Sequence, residues 1–157
     1  MGVQSFFIAA VILGCAATLE AHREAGLMGE QCLRCLCEAS TECNEDAGCS
    51  SDGPNQYLCG PYAISYQYWK DGGSPGANPS DPLDFEKCLN SKPCAEASVK
   101  GYMQRWGQDC DGNGYIDCYD WALLHKAGPD ACSGSWVQKT DFFVQFKTCY
   151  APVSKFN

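Results

Sequence analysis

The sequence is poor in basic residues, with 11 Lys and Arg against 19 Asp and Glu and a formal net charge of -8. It has no run of Lys or Arg, so neither nucleic acid nor an anionic membrane surface is an expected partner. Repeats, long linkers and low-complexity stretches are absent too, and 157 residues are too few for a barrel enzyme with a second domain. The length and these absences together predict one compact domain.

Long apolar runs are missing except near the amino terminus. Residues 6–19, FFIAAVILGCAATL, carry no charge but are too few for a membrane span of ~20 apolar residues. They are typical of a secretory signal peptide, which we predict over residues 1–21, with cleavage after Ala21 favoured over Ala17. We therefore expect a secreted, extracellular protein with no membrane association and a single mature domain over residues 22–157.

Cysteine, in contrast, is abundant, with 13 in the chain. Removal of the signal peptide discards Cys15 and leaves 12, an even number that full disulfide pairing requires. Cys32, Cys35 and Cys37 are close enough for a zinc cluster, but a second tight cysteine pair is missing. Disulfides in an oxidising compartment are the better interpretation, and the sequence does not assign their pairing.

Helical patterns dominate the mature chain. Ala95, Val99, Met103 and Trp106 recur at spacings of four, four and three residues, which predicts a helix over 95–106. Similar patterns predict further helices over 32–40, 61–70, 118–127 and 137–150. Turn-forming residues predict a loop or hairpin over 44–59 and a surface connector over 72–82. The predicted fold is mainly α with a small β element.

Four segments carry a family resemblance. They are CLRCLCEAS at 32–40, CGPYAISYQYW at 59–69, GYMQRWGQDC at 101–110 and IDCYDWALLHKAG at 116–128. Together they resemble the invertebrate-type lysozyme (destabilase) family, from about Cys32 to Tyr150. The resemblance implies a compact disulfide-rich lysozyme-like domain, expected to be a monomer. It also implies hydrolysis of the β-1,4 bond between N-acetylmuramic acid and N-acetylglucosamine in bacterial peptidoglycan, in antibacterial defence or digestion of bacteria.

Glycoside hydrolysis usually needs two carboxyl groups beside the scissile bond, one of them protonated as general acid. In the family, the acid is a Glu three residues before the fourth Cys of the opening cluster. That Cys is Cys43 here, so the matching position is Ser40, whose hydroxyl cannot protonate a leaving sugar oxygen near neutral pH. Glu38 and Glu42 are displaced alternatives, but two residues along a helix is ~200° of rotation. Both could equally be surface acids.

The family's second carboxylate is an Asp three residues after the next Cys, which matches Asp52, three after Cys49. An Asp before Gly53-Pro54 is also a common turn residue. Some members are credited with isopeptidase activity, which the family assigns to a Ser and a Lys. Here those positions hold Asn55 or Gln56 and then Ser65, so neither half of the pair is matched.

Aromatic residues stand where the family lines its sugar cleft. Tyr62, Tyr66 and Trp69 follow Pro61 at helical spacing and could stack on sugar rings or pack in the core. Two functions therefore stay open: a weak or inactive muramidase that needs no cofactor for catalysis, and a non-catalytic protein that binds peptidoglycan or a related glycan. His125 lies in a Leu-rich helix without an evident Cys or Ser partner, and we interpret it as structural.

One acidic segment fits a calcium loop. Residues 109–120, DCDGNGYIDCYD, follow the EF-hand register, with Gly114 at the sharp turn and Asp in place of the final Glu. The predicted ligands of a structural calcium ion are Asp109, Asp111, Asn113, Tyr115, Asp117 and Asp120. The alternative is a solvated acidic turn held by disulfides at Cys110 and Cys118.

Overall fold

The computed structural model describes residues 28–51, 53 and 56–154, so the predicted signal peptide, Asp52 and Asn55 lie outside the described residues. A small three-stranded sheet follows the first helix, and the remaining described elements are helical. In order they are α1 (Glu30–Thr41), β1 (Cys49–Ser51), β2 (Tyr57–Cys59), β3 (Ile64–Ser65), α2 (Tyr66–Asp71), α3 (Asp84–Leu89), α4 (Lys92–Trp106), α5 (Cys118–Ala127), a 3₁₀ turn (Val137–Lys139) and α6 (Asp141–Ser154).

Helix α1 forms one wall of the core. Cys32, Cys35, Leu36 and Ala39 are buried, and their spacing of three, one and three residues places them on one helical face. The helix ends at Thr41, and the left-handed backbone of the capping residue Glu42 (φ 57°) lets the Cys43 N–H donate to the carbonyl of Cys37. The helix predicted over 32–40 is therefore present, with about one turn more than the sequence indicated.

The three strands form one antiparallel sheet in the order β1-β2-β3. In the β1–β2 hairpin Cys49 lies opposite Cys59, and in the next pair Cys59 lies opposite Ile64. The prediction of one continuous helix over 61–70 is therefore wrong. Pairing with β2 holds Ile64 and Ser65 extended, and the Ser65 hydroxyl then accepts a hydrogen bond from the Tyr68 N–H and caps α2.

The core lies between the opening helix and the last two. Helices α1 and α6 pack against each other, and α5 closes the cluster with the buried Trp121, Leu123 and Leu124. Phe143 and Phe146 of α6 are buried there as well. Helix α4 contributes the buried residues predicted from its pattern, although Trp106 is only partly buried. Helix α3 was not predicted, because six residues are too short to show a helical period.

The twelve cysteines of the described residues form six disulfides. Cys32, Cys35 and Cys37 belong to three different bridges, which excludes the zinc cluster considered above. The six bridges are Cys32–Cys118, Cys35–Cys149, Cys37–Cys43, Cys49–Cys59, Cys88–Cys94 and Cys110–Cys132. The first two join α1 to α5 and α6, so the predicted disulfide-rich fold is confirmed. Among the described residues, no helix is long and apolar enough to cross a membrane.

Candidate functional site

A cleft of about 510 Å³ opens between α1, the sheet, α2 and α5. Its lining mixes aromatic rings with hydroxyl, amide and charged groups, which is typical of a site for a polar ligand with flat faces. The residues that carry its chemistry are Ser40, Gln56, Ser65, Gln67, Tyr68, Asp71, Tyr102, His125, Lys126 and Phe142.

Ser40 lies in the last turn of α1 and lines the cleft. Its Oγ donates a hydrogen bond to the carbonyl oxygen of Leu36, 2.8 Å away. The same Oγ lies 3.4 Å from Nε2 of His125. The prediction that His125 has no Ser partner is therefore wrong. The sequence does not reveal this contact, because 85 residues separate Ser40 and His125.

His125 is held by both ring nitrogens. Nε2 lies 3.1 Å from the carbonyl oxygen of Tyr62, and Nδ1 lies 2.9 Å from the hydroxyl of Tyr68. Because a carbonyl oxygen can only accept, Nε2 carries the proton and Nδ1 accepts from Tyr68. The pKa of His125 is lowered to about 4, mainly by burial and also by the nearby Lys126, while the hydrogen bond to the Tyr62 carbonyl opposes the shift. The ring is therefore neutral near pH 7.

This arrangement does not activate Ser40. A serine nucleophile needs an unprotonated base nitrogen to take its proton. Here the nitrogen nearest Ser40 already carries a hydrogen, directed at the Tyr62 carbonyl, and the Ser40 proton is directed at Leu36. A neutral imidazole cannot act as a general acid in place of a carboxylic acid either.

The aromatic wall of the cleft differs from the prediction. Tyr68 and Tyr102 stack with ring centroids 3.7 Å apart and an interplanar angle of 12°. Burial raises the pKa of Tyr102 to about 12 and that of Tyr68 well above its usual value, so both hydroxyls stay protonated. The sequence pattern did not single out these two residues or Phe142 as site residues, because α2, α4 and α6, which carry them, meet at the cleft only in the folded chain.

The three predicted sugar-contacting aromatics occupy different places. Tyr62 lines the cleft but is buried, and its hydroxyl donates to Glu96. Trp69 is buried outside the cleft lining, and its indole N–H donates to the carbonyl of Pro75. Tyr66 is half exposed and also lies outside the cleft lining. Because 61–70 is not one helix, Tyr62 does not share a helical face with Tyr66 and Trp69, which are three residues apart in α2.

The displaced acids do not line the cleft. Glu38 is half-buried and Glu42 is exposed at the end of α1. Among the described residues that line the cleft, the only carboxylate is Asp71, which lies 3.4 Å from the guanidinium of Arg105. Lys126 supplies a cation to the same cleft. The described part of the site can therefore bind polar groups, but its one carboxylate is already paired.

Both described positions of the isopeptidase pair, Gln56 and Ser65, do line the cleft. The Ser65 hydroxyl is engaged as the cap of α2. Neither side chain offers an amine that could act as a base. These two positions therefore hold no Ser and Lys pair.

The acidic loop folds around its own carboxylates. Asp109 accepts hydrogen bonds from the N–H groups of Gly112, Asn113 and Gly114, which lower its pKa. Buried Asp120 accepts from the N–H groups of Cys110 and Asp111, and from Asp117 at the start of α5.

Three carboxylates of this loop come close together. Oxygen atoms of Asp109, Asp111 and Asp120 lie within 4.8 Å of one another. Asp117 is turned away, because its carboxylate caps α5 at the Tyr119 N–H, and Tyr115 is exposed. Asn113 Oδ1 accepts from the Tyr115 N–H. Calcium binding here stays a prediction.

Comparison with known proteins finds a matching family and several relatives. The model of the Destabilase family matches residues 29–149. "Invertebrate-type lysozyme 6" of Caenorhabditis elegans is 33% identical over 106 residues, which is 66% of this chain and 75% of that protein. "Lysozyme" of Magallana gigas is 32% identical over 127 residues, 80% of this chain and 77% of the relative. "Lysozyme 1" of Crassostrea virginica is 34% identical over 70% of this chain, which spans only 54% of that protein's length.

Solved lysozyme structures have a similar fold. The crystal structure of Tapes japonica lysozyme has a TM-score of 0.62 at 27% identity, covering 76% of this chain and 88% of that one. The inhibitor-bound lysozyme from Meretrix lusoria also has a TM-score of 0.62 at 27% identity, with 81% and 96% covered.

Proposed function

The chain belongs to the Destabilase family of invertebrate-type lysozymes, and we propose that its cleft binds bacterial peptidoglycan while hydrolysis of the β-1,4 bond is weak or lost. One observation carries the proposal. Ser40, which the family resemblance matches to the catalytic Glu, lines the cleft with its hydroxyl donating to the Leu36 carbonyl and a neutral His125 beside it. Neither Ser40 nor the neutral His125 can protonate a leaving sugar oxygen near pH 7.

Glycan binding requires contacts with the sugar rings but no group that donates a proton to them. The cleft keeps the ring of Tyr68, which stacks on the buried Tyr102, and amide side chains in Gln56 and Gln67. Rings of this kind pack on the C–H faces of sugars, and amides bond the hydroxyl groups. Lys126 adds a positive charge that attracts the carboxylates of muramic acid and of stem peptides.

The place of action follows from the same proposal. The apolar run at residues 6–19 and the six disulfides are consistent with secretion into an oxidising, extracellular medium. There the protein would hold bacterial cell walls during antibacterial defence or digestion of bacteria. A monomer is sufficient for this role.

Sedimentation with insoluble peptidoglycan tests the binding half of the proposal. Wild-type protein should be retained, and Lys126→Glu should weaken retention severalfold, because it places a negative charge against an acidic polymer. Lys147→Glu makes the same charge change on an exposed residue outside the cleft lining and should bind like wild type. Equal retention of the two variants would contradict binding in this cleft.

A further inference from the structure

Two exposed tyrosines lie outside the cleft. Tyr57 is 43% exposed and Tyr66 is 51% exposed. Both pack their rings on Phe85 of α3, with centroid distances of 6.2 Å and 5.3 Å and steep interplanar angles of 60° and 82°. We call Tyr57, Tyr66 and Phe85 the tyrosine surface.

The tyrosine surface and the cleft share one wall. Gln56, which directly precedes β2, and Leu58 of β2 line the cleft, whereas Tyr57 between them does not. Successive side chains of a strand point to opposite faces, so Tyr57 projects from the other side of the same strand. Ser65 and Gln67 also line the cleft, with Tyr66 between them outside its lining. A single layer of backbone therefore separates the two surfaces.

The exposed rings are fixed before any ligand arrives. The Tyr57 hydroxyl donates to Glu86, 3.0 Å away, and this bond raises the pKa of Tyr57. Tyr66 packs on Trp69 with centroids 5.6 Å apart, and the ammonium group of Lys70 lies 5.7 Å from its ring centroid. Rigid amphipathic rings lose little conformational entropy on binding. The neighbouring carboxylate and ammonium groups can bond hydroxyl groups.

We propose that the tyrosine surface is a second glycan-binding site, which holds a stretch of the cell-wall polysaccharide separate from the one in the cleft; this rests on the proposed function. Because the tyrosine surface lies on the other side of the shared wall, it can bind another stretch of the insoluble polymer while the cleft is occupied. A folded protein partner fits less well, since two half-exposed tyrosines offer on the order of 200 Å². A stable protein interface needs about 800 Å² on each partner.

The test compares a polymer with a short fragment on full-length mature protein. Tyr57→Ala/Tyr66→Ala should bind insoluble peptidoglycan about tenfold more weakly than wild type. Its affinity for a soluble N-acetylglucosamine–N-acetylmuramic acid disaccharide, measured by calorimetry, should be unchanged. Tyr57→Phe/Tyr66→Phe keeps both rings and should bind the polymer like wild type. Trp136→Ala removes a comparably exposed ring elsewhere and is the matched control.

The outcomes separate this site from the cleft. Unchanged polymer binding by the double alanine variant overturns the second site and leaves the proposed function standing. An equal loss for polymer and disaccharide also overturns it, because the rings would then act through the cleft. If Lys126→Glu binds polymer normally while the double alanine variant does not, the cleft proposal fails and the tyrosine surface stands. If wild type binds neither probe, both fail.

Discussion

Ser40 and His125 meet in the cleft, with Ser40 Oγ 3.4 Å from His125 Nε2 across 85 residues of sequence. A glycosidase needs a carboxylic acid with a raised pKa at the family's Glu position. At Ser40, which the family resemblance matches to this Glu, a serine hydroxyl lies beside a neutral imidazole, and each directs its hydrogen to a backbone carbonyl. The contact is therefore part of a hydrogen-bonded cluster in the lining of the cleft.

The buried imidazole should make stability depend on pH. An unfolded His binds a proton near pH 6.5, but folded His125 does so only near pH 4. Its contribution is therefore present above pH 6.5 and is lost as the pH falls from 6.5 to 4, by up to about 3 kcal/mol. Urea unfolding at several pH values should show a flatter profile for His125→Gln, whose amide N–H can still reach the Tyr62 carbonyl. Identical slopes for both proteins would contradict this.

The position of Gly60 should not tolerate any residue with a side chain. Its backbone has φ +71°, and a Cβ there would lie 1.7 Å from the carbonyl oxygen of Leu89. Gly60→Ala should therefore lower the free energy of unfolding by about 3 kcal/mol or more. Gly48 has φ +66° but open space around its Cβ, so Gly48→Ala should cost about 1 kcal/mol from the backbone alone. Similar losses for the two variants in chemical unfolding would refute the steric explanation.

Calcium should stabilise the acidic loop. Asp109, Asp111 and Asp120 bring carboxylate oxygens within 4.8 Å of one another, and a bound cation would relieve their repulsion. Saturating calcium should raise the thermal midpoint relative to chelator, by about 2.7 kcal/mol of stability at a hundred times the Kd. Asp111→Asn should reduce the shift, and Asp130→Asn, on an exposed residue outside the loop, should not. An unchanged wild-type midpoint, with no binding heat at millimolar calcium, would remove the site.

Local sequence patterns predicted several of the helices. The helix predicted over 118–127 has those bounds in the structure, where Asp117 and Asp120, interpreted from the sequence as calcium ligands, form a capping box at its start. Strand β3 was missed, since Ile64 and Ser65 are extended only through pairing with β2. The placement of Ser40 at a catalytic position came from the family resemblance. Its contact with His125 depends on long-range disulfides, and twelve cysteines allow about ten thousand pairings.

The most direct test of the account is the release of reducing ends from purified peptidoglycan by wild type and Ser40→Glu. Wild type should release them at a rate lower by about 10²–10⁴-fold than the variant, because Ser40→Glu returns a carboxylic acid to the cleft. Asp52→Asn in the Ser40→Glu background should abolish the gain if Asp52 is the second carboxylate. The proposal that hydrolysis is weak or lost would be contradicted if wild type hydrolysed peptidoglycan as fast as Ser40→Glu does and lost that activity on Glu38→Gln or Glu42→Gln.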